Sequence, residues 1–478
     1  MIMTIKKSTS KFTLTKTVIT LTCLSFFGLS FISSANQAKP NIIVIMSDDA
    51  GYADIGFSGN TFGKANFTTP NLDKLAGSGV KFTQGYVTAS VCSPSRAGML
   101  TGRYQQRFGH EYNLPGKPEP GDVEKFNGMN VSEITMADHL KAAGYKTGLV
   151  GKWHLGQAPQ FHPNNRGFDE FYGLLGGGRS YWEKAGNESE NNKMRRNNKE
   201  EKHQGYLTDR LGEEAISFME RNKENPFFLY LSYTAVHAPM QAKPAHEKLL
   251  SHIKDKHRRT LAGMTLALDE SVGKVMAALD KMQLTENTIL IFLNDNGGPS
   301  DYNYSINKPF SGVKGTLYEG GVRVPFTMSW PGHIKAGTQY DEVVSSLDIL
   351  PTVLAAAKTK PVGKNKLDGV DLLPFINKSN DSKPHQTLFW RRAAFAAIRD
   401  GSHKLVRYPD RPAVLYNIAE DISESNNIAD ENPLLVRQLM KKLFAWENAL
   451  QAPMFLTHSK WIKQNRMRYS RYTDIDKQ

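Results

Sequence analysis

Cys92 stands two residues before Pro94 and four before Arg96, in the run Cys92-Ser93-Pro94-Ser95-Arg96. Pro94 suits the first turn of a helix, where its missing N–H costs nothing. Cys92 then sits at a helix N-terminus, whose partial positive charge attracts anions, and Arg96 adds a permanent cation. The segment is built to hold negative charge at residue 92. Three readings compete: a thiolate that attacks phosphate, a buried spectator thiol, and a cysteine converted into another group. A phosphate loop needs more residues than the three between Cys92 and Arg96. A free cysteine is often core.

Other polar clusters carry complementary chemistry. Asp48 and Asp49, with Asp295 and Asn296, are hard oxygen donors of the kind that bind calcium. Alone, an Asp-Asp pair is more often a turn or a helix cap. Two such clusters on one sheet edge favour a metal, which would act as a Lewis acid. Lys152 and His154 lie in Gly151-Lys152-Trp153-His154, and His237 lies in Val236-His237-Ala238-Pro239. Imidazoles there could move protons near neutral pH, and Lys152 and Lys314 could grip an anion as charge develops. His110, Arg179, Asp301 and Arg323 lie near these motifs and are weaker candidates for substrate contact. The glycines before Arg179, Gly176-Gly177-Gly178, lack the helix context of a nucleotide loop. The stretch ending at Arg323 reads equally as a structural turn.

The clusters need elements to bring them together. Apolar runs at 41–46, 145–150, 227–231 and 289–293 each lead into one of them. Continuous runs of this length suit strands covered on both faces. Helical patterns lie between: Ser132 caps one carrying Met136, Leu140 and Ala143, and a long one spans about 257–282. Strand–helix alternation predicts an α/β fold, a large, mostly parallel sheet sandwiched by helices. Sites in such folds form at the carboxyl ends of the strands, where the polar clusters fall. From about residue 381 the pattern changes to short strands at 395–399, 404–408 and 413–416. A helix with Leu434, Leu435, Leu439, Leu443 and Trp446 follows. The expected division is a signal segment 1–35, a catalytic domain 36–380, and a C-terminal α+β subdomain 381–478 with an antiparallel sheet. Residues 183–204 read as a polar surface loop, with Arg195-Arg196 a solvated charge cluster rather than a substrate contact.

Cys92-Ser93-Pro94-Ser95-Arg96, continued by Ala97-Gly98-Met99-Leu100-Thr101-Gly102-Arg103, resembles the formylglycine-dependent sulfatases of the alkaline-phosphatase-like superfamily. Asp48-Asp49, Gly151-Lys152-Trp153-His154-Leu155-Gly156, His237, Asp295-Asn296-Gly297-Gly298 and Lys314 look like family motifs, in family order. The resemblance runs from about residue 41 into the C-terminal subdomain, with no departure in this set. It implies that a formylglycine-generating enzyme oxidises Cys92 to an aldehyde. It also implies one calcium ion held by Asp48, Asp49, Asp295, Asn296 and the modified residue 92. The hydrated aldehyde would attack sulfur with one hydroxyl. Its second hydroxyl would then lose a proton and expel sulfate, a nucleophile that resets itself. Arg96 would hold the hydrate and Lys152 and Lys314 the sulfate oxygens. His237 would protonate the leaving oxygen and His154 act as base, two roles that could be exchanged.

Composition narrows the partner. The 478 residues are 40% hydrophobic and 22% charged, which excludes fibrous and mainly disordered classes. The net charge is +13, and a net positive field favours polyanions. No basic run interleaved with aromatics points to nucleic acid. Four lysines, an uncharged Leu- and Phe-rich run over 18–32, and Ser33-Ser34-Ala35 read as a cleaved export signal. Many Ser and Thr residues make that run a poor anchor, so no membrane contact is expected after cleavage. Thr22 spoils a lipid-attachment site at Cys23. The exported protein, periplasmic or secreted, would keep Cys92 alone and form no internal disulfide. The expected substrate is a sulfated carbohydrate, with a carrageenan- or ulvan-like polymer favoured. The alternatives are a glycosaminoglycan, N-acetylgalactosamine-sulfate or aryl sulfate substrate, a phosphoester or phosphonate hydrolase on the same fold, and an inactive polysaccharide-binding homologue.

Overall fold

The apolar runs form the centre of a large sheet. The structure is a computed structural model that describes residues 1–11, 13, 39–59, 66–114, 127–183, 188–455 and 459–470. Most of the expected signal segment lies outside the described residues. Met1–Ala38 and Lys39–Gln478 are two separate units, and the second carries the fold. Among the described residues, no helix is long and apolar enough to cross a membrane.

In chain order the strands are β1 (Asn41–Ser47), β2 (Val80–Phe82), β3 (Gly85–Tyr86), β4 (Lys146–Lys152), β5 (Glu170–Leu174), β6 (Arg195–Arg196), β7 (Lys199–Glu200), β8 (Phe227–Ser232), β9 (Thr288–Asn294), β10 (Phe326–Ser329), β11 (Thr338–Tyr340), β12 (Val344–Ser345), β13 (Thr387–Arg392), β14 (Phe395–Asp400), β15 (His403–Arg407) and β16 (Val414–Asn417). Ten form one mixed sheet in the order β11-β2-β10-β9-β1-β8-β4-β5-β6-β7. Its centre, β9-β1-β8-β4-β5, is parallel, with Val44 opposite Tyr230 on one side and Ile291 on the other. β10 runs antiparallel beside β9, and β6 and β7 close the far edge antiparallel.

Both faces of the central strands are buried, which is why they read as unbroken apolar runs. Ile42, Val44 and Met46 face one core, shared with Leu149, Phe228 and Ile291. Ile43 and Ile45 face the other, covered by helices Leu207–Asn222 and Lys256–Lys281 through Leu211, Phe218, Leu261 and Leu268. The long helix matches its expected span within a residue and is capped by Asp255, whose side chain accepts from the Arg258 amide at 2.8 Å. The helix expected to start at Ser132 begins instead at Met136. Thr135 and Asp138 cap it reciprocally, and Ser132 turns back to bond Asn130.

The C-terminal sheet β13-β14-β15-β16 is an antiparallel meander. One face, with Ile398, Leu405 and Leu415, packs on Leu439, Leu443 and Trp446 of helix Pro433–Glu447. The other, with Trp390, Ala397 and Val406, packs on Tyr86, Leu317 and Tyr318. The Trp390 indole donates to Val87 O at 2.7 Å. Within 183–204, the expected loop carries the short hairpin β6–β7. Arg196 there is held by Glu201 and Glu214, and Arg195 by Glu190. A last helix, Ser459–Ser470, was not foreseen.

Candidate active site

The polar clusters converge at the carboxyl ends of the parallel strands. β1 delivers Asp48 and Asp49, β9 delivers Asp295 and Asn296, β4 delivers Lys152 and His154, and the turn after β8 delivers His237. Asp49 and His154 take left-handed backbone conformations, φ 65° and 58°, uncommon for residues with a side chain. The turns are held by backbone bonds, Asp48 N to Ala235 O at 2.8 Å and His154 N to Leu175 O at 3.1 Å. Helix Cys92–Thr101 begins at Cys92, so the thiol sits at its N-terminus.

Cys92 Sγ lies 3.4 Å from Asp48 Oδ1 and 3.1 Å from Lys314 Nζ. Lys152 Nζ meets Asp48 Oδ2 at 2.5 Å, and Lys314 Nζ meets Asp49 Oδ1 at 2.7 Å. Arg96 grips Asp295 Oδ2 through Nε at 3.0 Å and Nη2 at 2.8 Å, and donates to Lys152 O and Ser232 Oγ. Asp48, Asp49, Cys92 and Asp295 each bring a ligand atom within 4.8 Å of the others. Asn296 donates from Nδ2 to Asp49 at 2.8 Å, while its Oδ1 is buried without a partner. His237 Nε2 lies 3.7 Å from Asp49, and its Nδ1 meets Ala238 O at 2.7 Å. A cavity of about 620 Å³ opens from this cluster, reached by Asp49, His237 and Lys314.

The sulfatase family matches residues 40–359. The chain belongs to the sulfatase family. A second family, N-sulphoglucosamine sulphohydrolase, C-terminal, matches residues 313–449. N-acetylgalactosamine-6-sulfatase of Mus musculus is 33% identical over 404 residues, 80% of this chain and 74% of its own length. Arylsulfatase A of Homo sapiens is 34% identical over 436 residues, 83% and 80% of the two chains. The crystal structure of Ps i-CgsB matches with a TM-score of 0.82 and 37% identity, covering 90% of this chain and 99% of that one. A structure of Ps i-CgsB with k-i-k-neocarrahexaose matches at 0.81, with the same identity and coverage. The fold is that of the alkaline-phosphatase-like superfamily, and the protein is a sulfuric ester hydrolase.

In this sulfatase the three carboxylates of the cluster face three permanent or near-permanent cations, Arg96, Lys152 and Lys314. A hard divalent cation fits among the carboxylates and the free Asn296 oxygen. Burial, then the Asp48 charge, pushes Asp295 up to about 6, as expected of acids crowded where a cation belongs. Burial would raise Asp49 too, but Lys314, His237 and Lys152 hold it below the usual range. Burial and the charges of Asp295 and Asp48 push the Cys92 thiol up. As a plain cysteine it is therefore a poor nucleophile, since only a thiolate attacks. Burial lowers His237 to about 4, with Lys152 and Lys314 adding to it. Burial and Lys152 hold His154 well below the ordinary range. His154 Nδ1 is buried without a partner.

The weaker candidates are placed elsewhere. His110 is fully buried, 2.7 Å from Ser93 Oγ, under the Cys92 helix. Arg179 pairs with Glu183 at 3.1 Å. Arg323 is buried against Thr83 O and Glu319. Asp301 holds Arg468, a residue of the cavity wall, through two 3.0 Å bonds. The glycines before Arg179 leave room for the histidines. A Cβ at Gly177 would lie 2.9 Å from His154 Cε1 and Nε2, and one at Gly178 would lie 3.0 Å from His237 Nδ1. Sequence reading missed the cavity wall built by the last helix, with Trp461, Lys463, Gln464, Met467 and Arg468. The 461–464–468 spacing is the one signal for it.

Proposed function

We propose that this sulfatase removes sulfate from a sulfated carbohydrate, a galactan of the carrageenan kind, with residue 92 as formylglycine and one calcium ion. The convergence of Cys92, three carboxylates, two lysines and two histidines at one sheet edge supports the chemistry. The likeness to Ps i-CgsB over nine-tenths of the chain supports the sugar. The leading segment supports export to the periplasm or beyond, and a formylglycine-generating enzyme would act during maturation.

Asp48, Asp49, Asp295 and Asn296 would hold the ion together with residue 92. The ion they would hold would supply Lewis-acid polarisation of the sulfate group. Formylglycine, as its hydrate, supplies one hydroxyl for attack on sulfur and a second for release of sulfate. Arg96, fixed by Asp295 and Ser232, orients the N-terminal turn that carries residue 92. Lys152 and Lys314, released from Asp48 and Asp49 as these turn to the ion, take the sulfate oxygens as charge builds. Exposure supports different roles for the two histidines. The His237 side chain is 26% exposed and lines the cavity, so it reaches the leaving oxygen and protonates it. His154 is 7% exposed and accepts a proton deeper in the site. Burial is the larger cause of the lowered His237 value; a bound sulfate ester between the two lysines offsets the part that their charges add.

The test is free sulfate released from carrageenan, ulvan and glycosaminoglycan oligosaccharides by protein made with a formylglycine-generating enzyme. Release from carrageenan fragments is expected. Release only from another class reassigns the sugar, and release from none by converted protein overturns the reading.

A further inference from the structure

The helix Ser459–Ser470 is anchored toward its C-terminal end. Arg468 bonds Asp301 at 3.0 Å twice and Lys314 O at 2.6 Å. The Tyr469 hydroxyl accepts from Leu317 N at 2.9 Å, and its ring stacks on Phe395 with centroids 4.2 Å apart. Trp461, Lys463 and Met467 are open. Trp461 is 45% exposed and Met467 51%, and both line the cavity that reaches His237 and Lys314. Across the same cavity Tyr302 is 61% exposed. Large apolar side chains clustered in the open are informative where single ones are not. Lys463, exposed, adds a cation to the same wall.

Aromatic faces beside a cation match one chemistry. A sugar ring presents apolar C–H faces and polar edges, and rigid aromatic side chains bind such surfaces at low entropic cost. A sulfated sugar adds an anion for the lysine. The helix is fixed at Lys314, a residue of the sulfate-binding cluster, so whatever it binds is held at a set distance from the reacting centre. We propose that the exposed residues with which this helix lines the cavity, Trp461 and Lys463 first among them, form the subsite for the sugar next to the one that loses sulfate. Trp461 stacks on that ring and Lys463 pairs with its anionic group. This inference rests on the carbohydrate reading above and assigns its specificity to the helix.

Two readouts test it. In a Cys92→Ser background, which binds without turnover, Trp461→Ala weakens calorimetric affinity for a carrageenan hexasaccharide about tenfold, and Trp461→Phe recovers most of it. In the active enzyme, Trp461→Ala lowers the ratio of kcat/KM on the oligosaccharide to kcat/KM on 4-nitrophenyl sulfate by a similar factor, mainly through KM. Lys463→Ala weakens binding and flattens its salt dependence. Unchanged affinity with an active wild type sinks this inference alone. Equal loss on both substrates also sinks it, because the helix would then be structural only. A wild type that hydrolyses the aryl ester and no sulfated oligosaccharide sinks the carbohydrate reading and this inference with it.

Discussion

At the residue scale, the site depends on bare backbone as much as on charged groups. A methyl group at Gly177 meets the His154 ring at 2.9 Å, so Gly177→Ala displaces that ring without touching the core. On the role proposed for His154, such a displacement is costly. We expect kcat to fall roughly tenfold to a hundredfold, with the thermal midpoint moving by about 2 °C or less, checked by sulfate release and scanning calorimetry. Asn296 makes the complementary case, since its Oδ1 is buried with no partner in the protein. Calcium should stabilise the stripped wild type by about 2.7 kcal/mol at a hundredfold excess over Kd. Asn296→Ala should lose most of that gain in a thermal titration; an equal gain would remove the residue from the ion's shell. Asp48, Asp49, Asp295 and Asn296 were legible as a polar cluster because each pair stands one residue beyond an apolar run. His110, Arg179 and Arg323 illustrate the limit. A sequence displays a cation or an imidazole but not the Ser93, Glu183 or Glu319 that occupies it.

At the element scale, strands buried on both faces were readable and edge elements were not. β1, β4, β8 and β9 carry their own hydrophobic signature, whereas the two-residue strands β6 and β7 carry none. The start of helix Met136–Ala142 was misplaced because two hydroxyl residues compete as caps. Thr135 wins through its reciprocal bonds with Asp138. The tie between the body and the C-terminal sheet gives a pH test. His385 Nε2 lies 2.8 and 2.9 Å from the Asp348 oxygens, and Asp348 also accepts from the Ser345 and Val370 amides. Burial lowers the His385 imidazole, but the Asp348 charge outweighs it and the net shift is upward from 6.5. A raised folded-state value means the pair's contribution is full below pH 6.5 and is lost as pH climbs through the folded value. Urea midpoints of wild type and His385→Asn should differ most at pH 5.5 and converge by pH 8.5. A gap that widens with pH would contradict the pairing.

At the scale of the whole molecule, the basic balance and the open cavity make one prediction together. The chain carries a formal +13, of which the expected signal segment contributes four lysines and no acid, leaving +9, and a field of that sign raises the encounter rate of a polyanion far more than that of a single charge. Between 20 and 300 mM salt the Debye length falls several-fold. kcat/KM on a sulfated polysaccharide should fall steeply over that range while kcat/KM on an aryl sulfate changes little. Matching slopes would mean that the charge serves solubility rather than steering. The sheet order and the convergence of distant clusters followed from strand–helix alternation, which sends the site to one edge. The cavity wall did not, because its helix lies more than a hundred residues beyond Lys314 and bears no catalytic motif.

The measurement that tests the account most directly links residue 92 to turnover. Preparations made with graded amounts of a formylglycine-generating enzyme would be digested, and the fraction of the Cys92 peptide that has lost its sulfur read by mass spectrometry. The same preparations would be assayed for sulfate released from carrageenan oligosaccharides. Activity should rise in proportion to the converted fraction and extrapolate to zero at none, with Cys92→Ser inactive and folded. Full activity from protein whose Cys92 is intact would contradict the account, because the buried thiol would then be reacting in a way its surroundings oppose.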